Sequence, residues 1–381
     1  MNIKTRLSGY VETSLVGRYI TNENISPLIE KHHEFLTISS VGKSVLENDI
    51  QSFQLGTGKT KILIWSQMHG NESTCTKAIF DFLNFWRGEM ALKLRQQVTI
   101  CIVPILNPDG AIAYTRENAN GVDINRDFVV LSQPETNFLM AIYNDFKPDY
   151  CFNMHDQRTI FGLDNAMEPA TVSFLAPSFN ANLDVNANRL KAMMLIAAMN
   201  EALQKFIPGK VGRFDDAFNI NCAGDMLQSL GTSTILFEAG HYPADYQREI
   251  TRHSILLALV SGIEYIANND VGLQRIEDYL NIPQNKIVFY DFVYRNVKIN
   301  YDNNEIITNF ATHYREELVN DDIIFTSYIC EIGELSNYRG HVEYDAAFQK
   351  YTDDFSNRPQ SGQKGDFFLG NEKFVNGSRS Q

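Results

Sequence analysis

Short apolar runs alternate along the first two thirds of the chain with longer stretches whose apolar side chains recur every three to four positions. The runs, among them Lys61-Ile62-Leu63-Ile64-Trp65 and Ser233-Thr234-Ile235-Leu236-Phe237, predict strands over 61–66, 97–103, 149–154 and 233–237. The periodic stretches predict helices over 73–87, 134–146, 186–206 and 245–267. Proline sits in the first turn of the second of these, Asp245 is placed to cap the last, and a further helix start falls at Ser26-Pro27. Strands separated by helices are the mark of an α/β sheet covered on both faces.

After about residue 270 the pattern changes. Aromatic and β-branched runs follow one another at 286–294, 296–301, 306–310, 323–329 and 341–344. In Val297-Lys298-Ile299-Asn300-Tyr301 apolar and polar residues alternate, and the turn-like Asp302-Asn303-Asn304 comes next. The chain therefore reads as four parts. A polar, mildly helical lead-in spans 1–45, the α/β domain 46–270, and a small β-rich domain 271–352. The tail 353–381 is rich in Gly, Ser, Asn and Gln, a composition expected to stay disordered or loosely packed.

The candidate chemistry lies where the strands end. His69 and Glu72 follow the run 61–65, His155 follows Tyr150-Cys151-Phe152-Asn153-Met154, and Glu238 follows 233–237. Open α/β sheets place their sites at the carboxyl ends of strands. An HxxE pair alone is a weak signal. With His155 it makes a two-imidazole, one-carboxylate set that suits a catalytic zinc with one open position. Such a site activates water. Glu238, after an apolar run and before Ala239-Gly240, reads as a partly buried carboxylate, and burial tunes a carboxyl group for proton transfer near neutral pH. The stretch 107–128 is too long and too rich in Asn, Asp and Gly for a plain connection, and long loops in compact domains are usually functional. It contains Asn107-Pro108-Asp109-Gly110, then Arg116, then Asp123-Ile124-Asn125-Arg126-Asp127.

In the order HxxE, NPDG, arginine, D-x-N-R, lone histidine and late F-E, the chain resembles the M14-type zinc carboxypeptidases over roughly 55–265. That resemblance implies a mixed, mostly parallel sheet flanked by helices, and one zinc on His69, Glu72 and His155. It also implies Glu238 as general base, Arg116 facing the oxyanion, and Asn125 with Arg126 gripping a substrate carboxylate. The family closes a tyrosine over its substrate from a loop ahead of the glutamate. Here 208–230 has no tyrosine; Phe214, Phe218 and Asn221 stand there, and Tyr242, just beyond Glu238, is the remaining candidate for substrate contact. Asp225 falls where the family builds its side-chain pocket, and a capping role is its alternative.

Composition narrows the partners. With 33 basic and 46 acidic residues the formal charge is −13, which argues against a nucleic-acid partner; a small peptide or peptide-like substrate is what the resemblance implies. Cys75, Cys101, Cys151, Cys222 and Cys330 are dispersed and odd in number, which reads as reduced thiols. There is no signal-like apolar segment at Met1 and no membrane-spanning apolar run. If Met1 is the native start, a cytoplasmic protein is expected. Two other readings stay open: a zinc-dependent deacylase of N-acyl amino acids, resembling succinylglutamate desuccinylase or aspartoacylase, and a non-catalytic binding module.

Overall fold

The structure is a computed structural model that describes residues 7–164, 167–268, 275–301 and 304–380. The boundary expected at 270/271 and the turn residues Asp302-Asn303 lie outside the described residues. The chain divides into two compact units: Met1–Gln157 with Leu163–Asn285, and Arg158–Gly162 with Lys286–Gln381.

The first unit is built on strands β1 (Thr37–Lys43), β2 (Asp49–Gly56), β3 (Thr60–Trp65), β4 (Val98–Val103), β5 (Tyr150–Asp156), β7 (Val172–Leu175), β8 (Val211–Arg213) and β9 (Ser233–Ala239). A short strand β6 (Phe161–Leu163) stands apart from this sheet. The sheet order is β1-β2-β4-β3-β5-β9-β7-β8. Pairings β4-β3, β3-β5, β5-β9 and β7-β8 are parallel and the rest antiparallel, giving a mixed sheet with a parallel centre. Residues 62–65 of β3 are all fully buried because both faces are covered. Ile62 and Ile64 join the larger core with helices Thr74–Arg87, Ala187–Gln204 and Glu249–Asn268, while Leu63 and Trp65 join the smaller one under Pro134–Phe146. Strand order reverses around β3, with β4 on one side and β5 on the other. That reversal opens a crevice at the carboxyl ends of the strands.

Helix Glu249–Asn268 is the one described helix long and apolar enough to cross a membrane, but 72% of its apolar window is buried within the fold. Its apolarity is used in the core. Asp245 accepts the N–H groups of Glu249 (2.9 Å) and Ile250 (2.7 Å), as a capping residue should.

The lead-in belongs to this unit rather than preceding it. Leu7, Leu15, Ile20, Ile25, Leu28 and Ile29 are in the larger core, and β1 is the edge of the sheet. Its helix runs over Asn22–Lys31, so the start expected at Ser26-Pro27 is one turn late. Thr21 N donates to Asn24 Oδ1 (2.8 Å) at the true start, and the Ser26 hydroxyl bonds back to Asn22 O (2.7 Å).

In the second unit β11 (Phe289–Ile299), β12 (Ile306–Val319), β13 (Asp322–Gly333) and β14 (Arg339–Asp345) form a sheet ordered β13-β12-β11-β14, and β10 (Asn285–Ile287) pairs with β6. A second sheet comprises β15 (Tyr351–Thr352), β16 (Phe367–Leu369), β17 (Glu372–Val375) and β18 (Ser378–Arg379). The tail expected to be loose from 353 onward therefore folds. Phe367 and Phe374, opposite one another in register, stack with centroids 5.0 Å apart and bury among Tyr294, Phe310 and Tyr351. Gly and Asn make its turns, and the alternating Phe367, Leu369 and Phe374 supply the core.

Candidate active site

Because β3, β5 and β9 are neighbours, their carboxyl ends deliver their side chains to one place. His155 and Glu238 are direct partners across β5 and β9, and His69 and Glu72 follow β3 in a tight turn closed by Glu72 N to His69 O (3.1 Å). That turn packs backbone against backbone on the NPDG segment. A Cβ on Gly70 would lie 1.9 Å from the Gly110 carbonyl carbon, and one on Gly110 would lie 2.5 Å from Asn107 Nδ2 and 2.7 Å from Glu117 O, so neither position has room for a side chain. Asn107 caps helix Pro108–Ala113 through Gly110 N (2.9 Å), and its amide also donates to Met68 O (3.3 Å).

His69, Glu72 and His155 each offer a ligand atom, and these lie within 4.8 Å of one another. Glu72 Oε1 is 2.8 Å from His69 Nδ1, Oε2 is 2.8 Å from His155 Nδ1, and the two Nδ1 atoms are 3.1 Å apart. Asp123 Oδ1 stands 3.1 Å from His69 Nε2, which fixes the proton there and leaves Nδ1 as a lone-pair donor. Arg116 Nη1, a cation, approaches that same Nδ1 at 3.2 Å. Acceptor atoms this close require protons or a cation between them. Two imidazoles and a carboxylate, one imidazole oriented by a second carboxylate, fit a divalent metal of the zinc type.

Electrostatics agrees with the geometry. Burial works against ionising Glu72, but the two imidazoles outweigh it and hold its pKa well below the usual carboxylate range. Burial also opposes the charged form of His69, yet Glu72 and Asp123 raise its pKa. For His155 burial wins, and its pKa is lowered. Glu238 is the opposite of Glu72. Burial, then the nearby Glu72 and Asp156 carboxylates, push its pKa well up, and Glu238 Oε2 is buried with no hydrogen-bond partner among the described residues.

Other expected site residues divide. Arg116 joins the cluster, bonding Asp123 Oδ2 through Nε (3.1 Å) and Nη2 (3.0 Å). Asn125 Oδ1 accepts Ala223 N (3.0 Å), tying the D-x-N-R turn to helix Ala223–Ser229. Arg126 is exposed and donates to Asn125 O (2.8 Å). Asp123 is taken by His69 and Arg116, and Asp127 by Ser132 and Gln133, so among the described residues Arg126 has no carboxylate partner. Tyr242 packs its ring on the larger core, with Lys210 Nζ 5.9 Å from the centroid. Asp225 is in the first turn of helix Ala223–Ser229, and burial pushes its pKa up to about 7.

Two contributors escaped the sequence reading. Asp123 orients His69, and its signal was its place at the head of the D-x-N-R block. Asp156 accepts Thr74 N (3.1 Å) and Thr74 Oγ1 (2.5 Å) and faces Arg18 at 3.8 Å, so it anchors the helix that starts directly after Glu72. No local signal marked that role.

Residues 22–163 match the model of the zinc carboxypeptidases, Peptidase_M14. Over that stretch the chain is similar to this family. Curated relatives include probable carboxypeptidase 2 of Arthroderma benhamiae, 26% identical over 38% of this chain and 28% of that protein. Another is gamma-D-glutamyl-L-diamino acid endopeptidase 1 of Lysinibacillus sphaericus, 28% identical over 26% of this chain and 34% of that protein. The matched stretches thus span about a third or less of these relatives. Among solved structures, a metallo-carboxypeptidase from Pseudomonas aeruginosa aligns with TM-score 0.52 at 17% identity, over 65% of this chain and 70% of that one. At that identity the likeness bears on the fold alone.

Proposed function

We propose that this protein is a zinc-dependent metallocarboxypeptidase, hydrolysing the terminal amide bond of a peptide-like substrate that carries a free carboxylate. One observation carries the reading: three metal-type donors within 4.8 Å, beside Glu238, whose Oε2 is buried without a hydrogen-bond partner among the described residues. His69, Glu72 and His155 would hold the zinc, which when bound supplies Lewis acidity and brings the ionisation of water toward neutral pH. The remaining tasks fall to side chains. Glu238, partner of His155 across β5 and β9 and with Oε2 free of hydrogen-bond partners among the described residues, accepts the proton of the attacking water and returns it to the departing amine. Arg116 stands on the cluster, where it can meet negative charge developing on the carbonyl oxygen. Arg126, with no carboxylate partner among the described residues, and Asn125 beside it would hold the substrate's terminal carboxylate; a planar guanidinium suits a two-point grip. That grip would select a chain end over an internal bond.

The test uses zinc-loaded full-length chain on four substrates: a peptide with a free C-terminus, its amidated form, an N-acyl amino acid, and a γ-D-glutamyl-diamino acid peptide. The last follows from the name of the Lysinibacillus relative. Strong preference for the free over the amidated peptide is expected. Arg126→Ala should lower kcat/KM on the free peptide by about ten- to a hundredfold and hardly touch the amidated one, since a hydrogen bond to a charged group contributes roughly 1.5–3 kcal/mol. Equal turnover of both peptides by wild type would rule out an exopeptidase. Cleavage of the N-acyl amino acid alone would point to the deacylase, and zinc binding without hydrolysis of any substrate to a binding module.

A further inference from the structure

The segment Glu12–Thr21 lies ahead of the family match, which begins at residue 22, yet its main chain is bonded to residues flanking His69 and Glu72, and its Arg18 side chain faces Asp156, next after His155. Gln67, two residues before His69, is fully buried and holds a left-handed backbone (φ 46°), a conformation that side chains other than glycine's disfavour. Its amide donates to Ile20 O and to Gly70 O, both at 2.9 Å, and its Oε1 accepts the Thr76 hydroxyl (2.8 Å). Ser73, next after Glu72, donates to Arg18 O (2.6 Å). Lys77 Nζ donates to Gly17 O (2.7 Å), and Arg18 Nη2 faces the Asp156 carboxylate, next after His155, at 3.8 Å. The far side of the segment is fixed as well. Arg252 donates to Leu15 O and Glu12 O, both at 2.8 Å, and Glu12 N donates to Asp81 Oδ1 (2.7 Å).

We propose that Glu12–Thr21 is a positioning strap for the metal loop, acting through the Gln67 amide, so that zinc binding and docking of the strap strengthen one another. The inference rests on the metal site proposed above. A strained turn keeps its shape only while its surroundings hold it. The single Gln67 side chain ties that turn to the strap through Ile20 and to the ligand loop through Gly70. Ligand-orienting contacts of this kind typically change metal affinity by about 10–100-fold when removed. Because coupling between two equilibria is reciprocal, bound zinc must also hold the strap down.

Two measurements on the full chain test this. In the first, zinc affinity is read by competition with a chromogenic chelator for wild type, Gln67→Met and Ser73→Ala. Methionine keeps the length of the side chain and removes the donor. Gln67→Met is expected to weaken zinc binding by about 10–100-fold, with a smaller loss in Ser73→Ala. In the second, backbone hydrogen exchange of wild type is followed with and without zinc, which needs no variant to fold. Zinc should slow exchange across residues 13–20 and leave strands β11–β13 unchanged. Wild type that binds no zinc overturns the metal site and the strap together. Zinc binding that leaves exchange at 13–20 untouched, or a folded Gln67→Met with wild-type affinity, overturns the strap alone.

Discussion

Two buried polar clusters in the first unit are built from similar residue types and come to opposite ends. Around Arg252 every charge is answered. Its guanidinium meets both Asp81 oxygens (2.7 and 2.6 Å) and Glu249 (3.1 Å), and Lys77 reaches Glu249 (2.5 Å) and Gly17 O (2.7 Å). At the carboxyl ends of β3, β5 and β9 the charges are left uneven. Glu72 is held ionised, Glu238 is pushed toward its neutral form, and Glu238 Oε2 and His155 Nε2 have no partner among the described residues. Buried polar groups are normally satisfied, and here two unmet atoms stand beside three metal-type donors, an arrangement that fits a site taking a ligand. The first cluster is closed within the fold; the second is the one to which the proposed function assigns a reaction.

Substitutions in each cluster should therefore fail differently. His155→Ala is expected to abolish zinc content and hydrolysis together while the far-ultraviolet spectrum stays native. Full zinc occupancy in that variant, by metal analysis, would remove His155 from the ligand set. Glu238→Gln should keep its zinc and lose turnover by about 10²–10⁴-fold, the usual contribution of a positioned acid–base group. Near-normal kcat would move the base elsewhere.

Asp81→Ala makes the reverse statement. Leaving Arg252 buried without its partner should lower unfolding free energy by about 3–5 kcal/mol, while kcat of the folded fraction at saturating zinc stays near wild type. A large kcat loss there would erase the distinction between the clusters.

The smallest expected effect belongs to His32, beside Lys31 and Arg87. Burial, then those two cations, lowers its pKa from 6.5 to about 4, and neither ring nitrogen has a partner among the described residues. Below pH 6.5 the unfolded chain binds a proton here that the folded chain refuses until about pH 4, so stability falls as pH drops through that window. His32→Gln should remove roughly 1–3 kcal/mol of this acid loss, at about 1.4 kcal/mol per pKa unit with part of the shift discounted. Parallel urea midpoints for wild type and variant from pH 7 to pH 4 would show this site carries none of it.

How much was legible in the sequence followed from how local each cause was. Strands β3, β4, β5 and β9 lie within two residues of expectation, because a strand buried on both faces must be an unbroken apolar run. Helix Pro134–Phe146 matches its expected span, with proline marking its start. Edge strand β1 was not legible, since all but one of its residues are exposed and give no burial signal. The folded tail was misread because Phe367 and Phe374 find their partners in strands some fifty to eighty positions away, such as Tyr294 and Phe310.

For the site, the sequence by itself determined the donors and their order: His69, Glu72, His155 and Glu238, each at the end of a strand whose apolar run announces it. Their type and local setting are properties of short segments. Tertiary structure alone decided what surrounds them. Only the tertiary fold puts β3, β5 and β9 side by side, sets Asp123 against His69 Nε2, gives Asp156 to Thr74, and lays the main chain of residues 17–20 against the loop that carries His69 and Glu72. The same folding left Arg126 without a carboxylate partner among the described residues and drew Tyr242 onto the core. Those outcomes depend on contacts between segments far apart in the chain, and which distant groups meet is settled when the whole unit buries its core.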